Sequence, residues 1–116
     1  MLKDGVSAMD EVNVIRALSA LAQATRLRAY RMLVVAGPAG VLPGQMAEAL
    51  QSSPTALSFH LKELVGAGLA SCERDGRHLI YRADFARMNG LLGFLTAHCC
   101  EGQPCAVDNA AACDCG

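Results

Sequence analysis

Five of the six cysteines in this 116-residue chain fall in its last eighteen residues. Cys99 and Cys100 are adjacent, Cys105 follows five positions on, and Cys113-x-Cys115 stands just before the terminal glycine. Thiolates are soft ligands that select soft, thiophilic centres over oxygen-seeking ions. They are also the groups that oxidants attack first. The cluster therefore points to metal binding or redox chemistry. Adjacent helical residues point about 100° apart, so Cys99 and Cys100 can grip one atom only where a helix is ending. Gly102 and Pro104 favour a return turn that brings Cys105 back as a third ligand. His98 stands ready as a fourth donor for a tetrahedral zinc or cadmium ion.

The length fits one domain with one core. Hydrophobic residues make up 53% of the chain and charged ones 18%, the balance of a folded protein rather than a disordered one. Aromatic residues are 4%, so the core must be aliphatic. No apolar run approaches the roughly 20 residues that span a bilayer. The opening "MLKDGVSAMDEV" carries acids and lacks an apolar segment, unlike a secretory signal. A cytoplasmic setting and reduced thiols are expected. The net charge is −1, yet Arg16, Arg26, Arg28 and Arg31 crowd residues 16–31 with no acid among them. Local charge, not total charge, decides contact with phosphate.

The cysteines need a body to act on, and its elements are legible. "DEVNVIRALSALAQ" repeats Val12, Ile15, Leu18, Leu21 and Ala22 at helical spacing. "TRLRAYRMLVVAG" gives a second helix ended by Gly37-Pro38, and Pro43 opens a short third in "PGQMAEALQ". In "SSPTALSFHLKELVGAGL", Ser53 is a good N-cap with Pro54 at the first helical position. Leu57, Leu61, Leu64 and Val65 form its apolar stripe, and Gly66 and Gly68 stop it. The period then switches to two: "LASCERDGRHLIYRAD" makes two strands around an Asp75-Gly76 turn, with Cys72 expected as a small core residue. "DFARMNGLLGFLTAHCC" returns to helix, with Asp84 as cap and Phe85, Met88, Leu91, Leu92 and Leu95 apolar. The expected fold is mainly α with a β-hairpin, a winged helix-turn-helix in the order ααααββα. Residues 1–98 form the domain and 99–116 a cysteine-rich tail.

A recognition helix enters the major groove with its first turns against base edges. It needs short polar side chains there, an N-terminus that can meet phosphate, and a cation along the flank. Ser53, Thr55, Ser58, His60 and Lys62 supply these, and the hairpin tip adds Arg74, Arg77 and His78. Phe59 has two readings: packing on a thymine methyl, or covering the edge of the helix-turn-helix. No Gly-rich phosphate loop and no Gly-x-Ser-x-Gly or Ser-x-x-Lys occur, and the carboxylates are scattered so that no acid/base pair stands out; catalysis is not expected.

The segments "ALAQATRLRAYRML", "SSPTALSFHLKELVGAGL" and "ERDGRHLIYRAD" resemble the ArsR/SmtB family of metal- and metalloid-responsive repressors over roughly residues 11–98. The resemblance implies a homodimer joined through the first and last helices, binding double-stranded operator DNA and released by an inducer. One arsenic site of that family uses cysteines on the helix before the recognition helix; here that stretch is "LPGQMAEAL", without cysteine. A zinc-type site pairs Asp and His on the last helix; here Asp84 is followed by Phe85-Ala86, and the only histidine after it is His98. An adjacent cysteine pair ending the last helix is, in the family, an arsenite site. The resemblance therefore implies trivalent arsenic, or antimony, held by Cys99, Cys100 and Cys105. A zinc- or cadmium-responsive repressor and a thiol-redox repressor are the alternatives.

Overall fold

The computed structural model describes residues 9–97. Helix α1 runs Glu11–Leu21, α2 Ala24–Ala36, α3 Pro43–Leu50, α4 Pro54–Gly66 and α5 Phe85–Thr96; strands β1, Ala70–Asp75, and β2, His78–Ala83, lie between α4 and α5. Each boundary has a local cause. The Asp10 carboxylate accepts from the Asn13 N–H at 3.0 Å, and the Gln23 side chain from Arg26 N–H at 2.8 Å. Asp84 does the same for Arg87 N–H at 2.9 Å. Such caps satisfy donors that the first turn of a helix cannot pair internally.

Leu33, Met46, Leu57, Leu61, Leu64 and Leu69 are the fully buried large side chains, so α2, α3 and α4 meet in an aliphatic core. Ala17 and Ala29 are also fully buried, and these small residues let α1 and α2 approach. The hairpin pairs antiparallel from Ala70↔Ala83 to Asp75↔His78. It is tied to the α2–α3 connector by Val41, which exchanges two backbone hydrogen bonds with Tyr81 at 2.9 and 3.0 Å. Beside that bridge, Arg82 Nε donates to the Pro38 carbonyl at 2.7 Å while its Nη1 pairs with Glu73. The hairpin is thus fixed to the body through β2, while Arg77 and His78 at its tip stay exposed.

Four sequence expectations need correction. The residues of α1 that are buried are Val14, Ala17 and Ala20, whereas Val12 is 74% and Ile15 54% exposed and Leu18 is exposed too. The larger apolar residues of α1 therefore face away from this chain's own core. The two-residue loop is Gly76-Arg77, one position later than expected: Asp75 still pairs with His78, and Gly76 takes the positive φ (66°) that a glycine-first hairpin turn demands. Cys72 is exposed, because β1 buries only Ala70 and the rest of the strand faces solvent. Finally, α5 stops at Thr96, with Ala97 already extended at φ −59° and ψ 134°, so the helix ends before the first cysteine of the pair. Among the described residues no helix is long and apolar enough to cross a membrane.

Candidate nucleic-acid interface

Helix α4 presents two unlike faces. Leu57, Leu61 and Leu64 anchor it in the core, and Thr55, Ser58, Phe59, Lys62 and Glu63 stand exposed on the other side. Its start is set by Ser53, whose hydroxyl accepts from Ala56 N–H at 3.1 Å, followed by Pro54. Ser53 therefore spends its oxygen as a cap but keeps an exposed position at the helix mouth. Pro54, Thr55, Ser58, Phe59 and Lys62 together line a shallow groove along the outward face. His60 is half-buried, and its Nδ1 is turned into the protein without a partner among the described residues. Its ring meets that of Phe59 edge to face, with centroids 6.2 Å apart and planes at 63°.

The connection into α4 carries a strained residue. Gln51, which ends α3, sits in the left-handed region at φ 53° and is the one non-glycine there among the described residues. Two backbone bonds hold it, Gln51 N–H to the Glu48 carbonyl at 3.3 Å and Ser52 N–H to the Ala47 carbonyl at 3.0 Å. This tight turn sets the angle between α3 and α4.

On the hairpin, Arg74, Arg77 and His78 are all exposed. Arg77 and His78 line a second groove with Leu42, Pro43, Gly44 and Gln45 at the start of α3. The structure thus gathers Thr55, Ser58, Phe59 and Lys62 in one groove and Arg77 and His78 in another. Arg74 lies farther back on β1, opposite Leu79. Cys99, Cys100 and Cys105 lie outside the described residues. Among the described residues no cluster of three or more Cys, His, Asp or Glu side chains could hold a metal ion.

The far end of α4 is held in a way the sequence did not announce. Ala67 closes the helix, Gly68 N–H donates to the Val65 carbonyl at 2.9 Å, and Leu69 N–H to the Leu64 carbonyl at 3.0 Å. This paired closure needs a left-handed residue at the third position, met by Gly68 at φ 81°. Two guanidinium groups close on this end: that of Arg16 from α1 would lie 2.9 Å from a Cβ at Gly66, and that of Arg87 from α5 within 2.6–2.8 Å of one at Gly68. Cations at a helix C-terminus also meet the negative end of its dipole. The Gly66-x-Gly68 pair was the available signal, but sequence reasoning takes it only as a stop.

Two tyrosines have raised pKa values. Tyr30 is 4% exposed, its hydroxyl has no partner among the described residues, and burial together with the nearby Asp84 charge raises its pKa. Burial also raises the pKa of Tyr81, helped by the Cys72 thiol across the hairpin.

Comparison with known proteins agrees with this geometry. A helix-turn-helix domain model matches residues 21–73, the span from the end of α1 to the middle of β1. Among solved structures, an ArsR-like transcriptional regulator from Rhodococcus sp. RHA1 is similar with a TM-score of 0.68 at 27% identity, covering 86% of this chain and 89% of that one. The homodimeric winged helix-turn-helix DNA-binding domain of a possible ArsR-family regulator from Mycobacterium bovis gives 0.60 at 26%, covering 79% and 85%. The AntR antimony-specific transcriptional repressor gives 0.58 at 27%, covering 89% and 98%. No curated protein matches the chain in sequence. A helix-turn-helix with a solvent-facing second helix, followed by a basic-tipped hairpin, makes this chain a winged helix-turn-helix protein on the plan of ArsR-type transcriptional regulators.

Proposed function

We propose that the chain is a homodimeric repressor that binds operator DNA through α4 and the hairpin and lets go when trivalent arsenic or antimony is bound by Cys99, Cys100 and Cys105. The observation that carries the DNA-binding part is the outward face of α4, where Thr55, Ser58, Phe59 and Lys62 stand exposed behind the Ser53 cap. Ser53 and His60 frame that face, and Arg74, Arg77 and His78 reach the flanking backbone. Side chains of this kind at the start of a helix suit base edges and phosphates together.

Dimerisation is supported by the apolar residues that this chain leaves uncovered on its first and last helices: Val12, Ile15 and Leu18 on α1, and Phe85, Leu92, Phe94 and Leu95 on α5. A second copy would cover them in an isologous pair, and the similar domain from Mycobacterium bovis is homodimeric. Residues 1–98 then serve DNA binding and dimerisation, and 99–116 serve sensing.

The inducer assignment rests on the donor set. Three thiols are the natural partners of a trivalent, thiophilic metalloid, which exchanges three hydroxyls for three sulfurs and releases three waters. Cys99 follows Ala97 by two positions, so ligand capture there acts on the end of α5 and the dimer face. The antimony-specific repressor among the similar structures supports the same ligand class. A coupling of about 1–3 kcal/mol would weaken operator binding some 5- to 150-fold.

Fluorescence anisotropy of the reduced protein on duplex DNA from upstream of its own gene tests this reading. Arsenite and trivalent antimony should release the DNA, and Zn(II) should not. Release by zinc alone would assign the site to His98 with the thiols, and release by peroxide with recovery in dithiothreitol would make it a redox regulator. A tight complex that none of these disturbs would remove the tail from the function.

A further inference from the structure

Phe59 is 58% exposed on the reading face, and its ring meets that of His60 edge to face. That exposure leaves the ring open to contact from outside the chain. Helical side chains lean toward the N-terminus. Phe59 therefore leans over the first turn, and it shares a groove with Pro54, Thr55, Ser58 and Lys62. The residues that line it bring a proline ring, a threonine methyl and a phenyl ring together with two hydroxyls and the Lys62 ammonium.

A partner for this groove must offer a small apolar group set among hydrogen-bonding atoms, close to negative charge. In the major groove only thymine, of the four unmodified bases, carries such a group: the C5-methyl, beside the O4 acceptor. Building on the proposed operator binding, we infer that Phe59 reads a thymine methyl group in each half-site, with Ser58 donating to the adjacent acceptor and Lys62 facing the phosphate. The selectivity at that position is for the C5-methyl group rather than for the base that bears it. 5-Methylcytosine, which carries the same methyl at the same place, therefore satisfies the Phe59 contact.

The test uses the full chain in reductant. Duplexes are first selected from a randomised library, and each thymine of the tightest site is then replaced in turn by deoxyuridine, which pairs identically but lacks the methyl. Losing one buried methyl should weaken binding about fourfold per half-site, and about 15-fold when both half-sites are changed. The penalty should appear at one symmetric position. Phe59→Ala should bind thymine and uracil duplexes equally there, and wild type should prefer 5-methylcytosine over cytosine at that position by the same factor. Circular dichroism should show Phe59→Ala folded, as an exposed residue allows.

Should the uracil penalty persist undiminished in Phe59→Ala, another residue reads the methyl and the inference is wrong. A selected site indifferent to uracil at every position has the same consequence. If no duplex is bound at all, the repressor assignment itself falls and takes the inference with it.

Discussion

The uncovered apolar residues of α1 offer a quantitative test of self-association. Ile15 keeps 54% of its surface in solvent and Val12 74%. Burying a whole aliphatic side chain contributes about 1.5–3 kcal/mol, so the exposed half of Ile15 leaves about 1 kcal/mol to be gained from a second copy. A two-fold interface presents each side chain twice, so Ile15→Ala should weaken the dimer by about 2 kcal/mol, a ~30-fold rise in dissociation constant. Adding Val12→Ala should bring the total to about 4 kcal/mol, near a thousandfold. Sedimentation equilibrium over a concentration series measures the constant, and thermal melting of the dilute protein reports the fold separately. Val35→Ala provides the control, since Val35 is just as exposed but lies on α2. The expected pattern is a weakened dimer for the α1 variants, an unchanged one for Val35→Ala, and fold stability preserved in all. Equal dimer constants for Ile15→Ala and wild type, or a monomer that melts earlier in proportion, would refute the placement of this surface in an interface.

Other consequences can be checked separately. Gly68→Ala forces a side chain into a left-handed position and against the Arg87 guanidinium; it should cost about 2 kcal/mol, read as a lower denaturation midpoint with unchanged slope. Gln51→Gly relieves the left-handed strain at the α3–α4 turn and should stabilise by about 0.5–1 kcal/mol in the same assay. Tyr30→Phe removes a buried hydroxyl without a partner among the described residues and should stabilise by about 1 kcal/mol at neutral pH. The raised pKa of Tyr30 means that the unfolded chain loses its phenolic proton first as pH climbs. Tyr30 therefore leaves stability independent of pH below about pH 10 and lowers it progressively as pH rises further. Denaturant titrations from pH 8 to 11.5 should show this decline in wild type and a shallower one in Tyr30→Phe.

The parts of the fold that local chemistry decides were legible in the sequence. Ser53-Pro54 placed the start of α4, and of its expected apolar stripe Leu57, Leu61 and Leu64 are buried while Val65 is exposed. The hairpin was found but displaced by one residue, because Asp75-Gly76 and Gly76-Arg77 both satisfy a two-residue turn and only the strand register chooses between them. Helix α1 shows a different failure. Its larger apolar residues suggested the core, yet the core takes Val14 and two alanines, and the larger side chains face outward. A hydrophobic pattern cannot say which chain a residue packs against. Cys72 was expected inside on composition alone, whereas the two-stranded sheet has one face too many to cover. The guanidinium groups over Gly66 and Gly68 come from residues 50 and 19 positions away in sequence, and no local pattern encodes such a meeting. At the interface, residue types announced the groove of Thr55, Ser58, Phe59 and Lys62, but the inward turn of His60 Nδ1 required the packed structure.

The two arginines at the end of α4 also make that helix a lever. Its thirteen residues give a length of about 20 Å from the Gly66 end to the reading end. Arg16 and Arg87 belong to α1 and α5, so a rotation of those helices is delivered at the fulcrum. At that length a tilt of about 10° sweeps the first turn through ~3.4 Å, the rise of one base pair. The same tilt would move Leu57 by about 2.4 Å, so on the proposed operator reading the lever turns only together with the core partners of α4, and it would then carry Thr55, Ser58 and Phe59 by one base step.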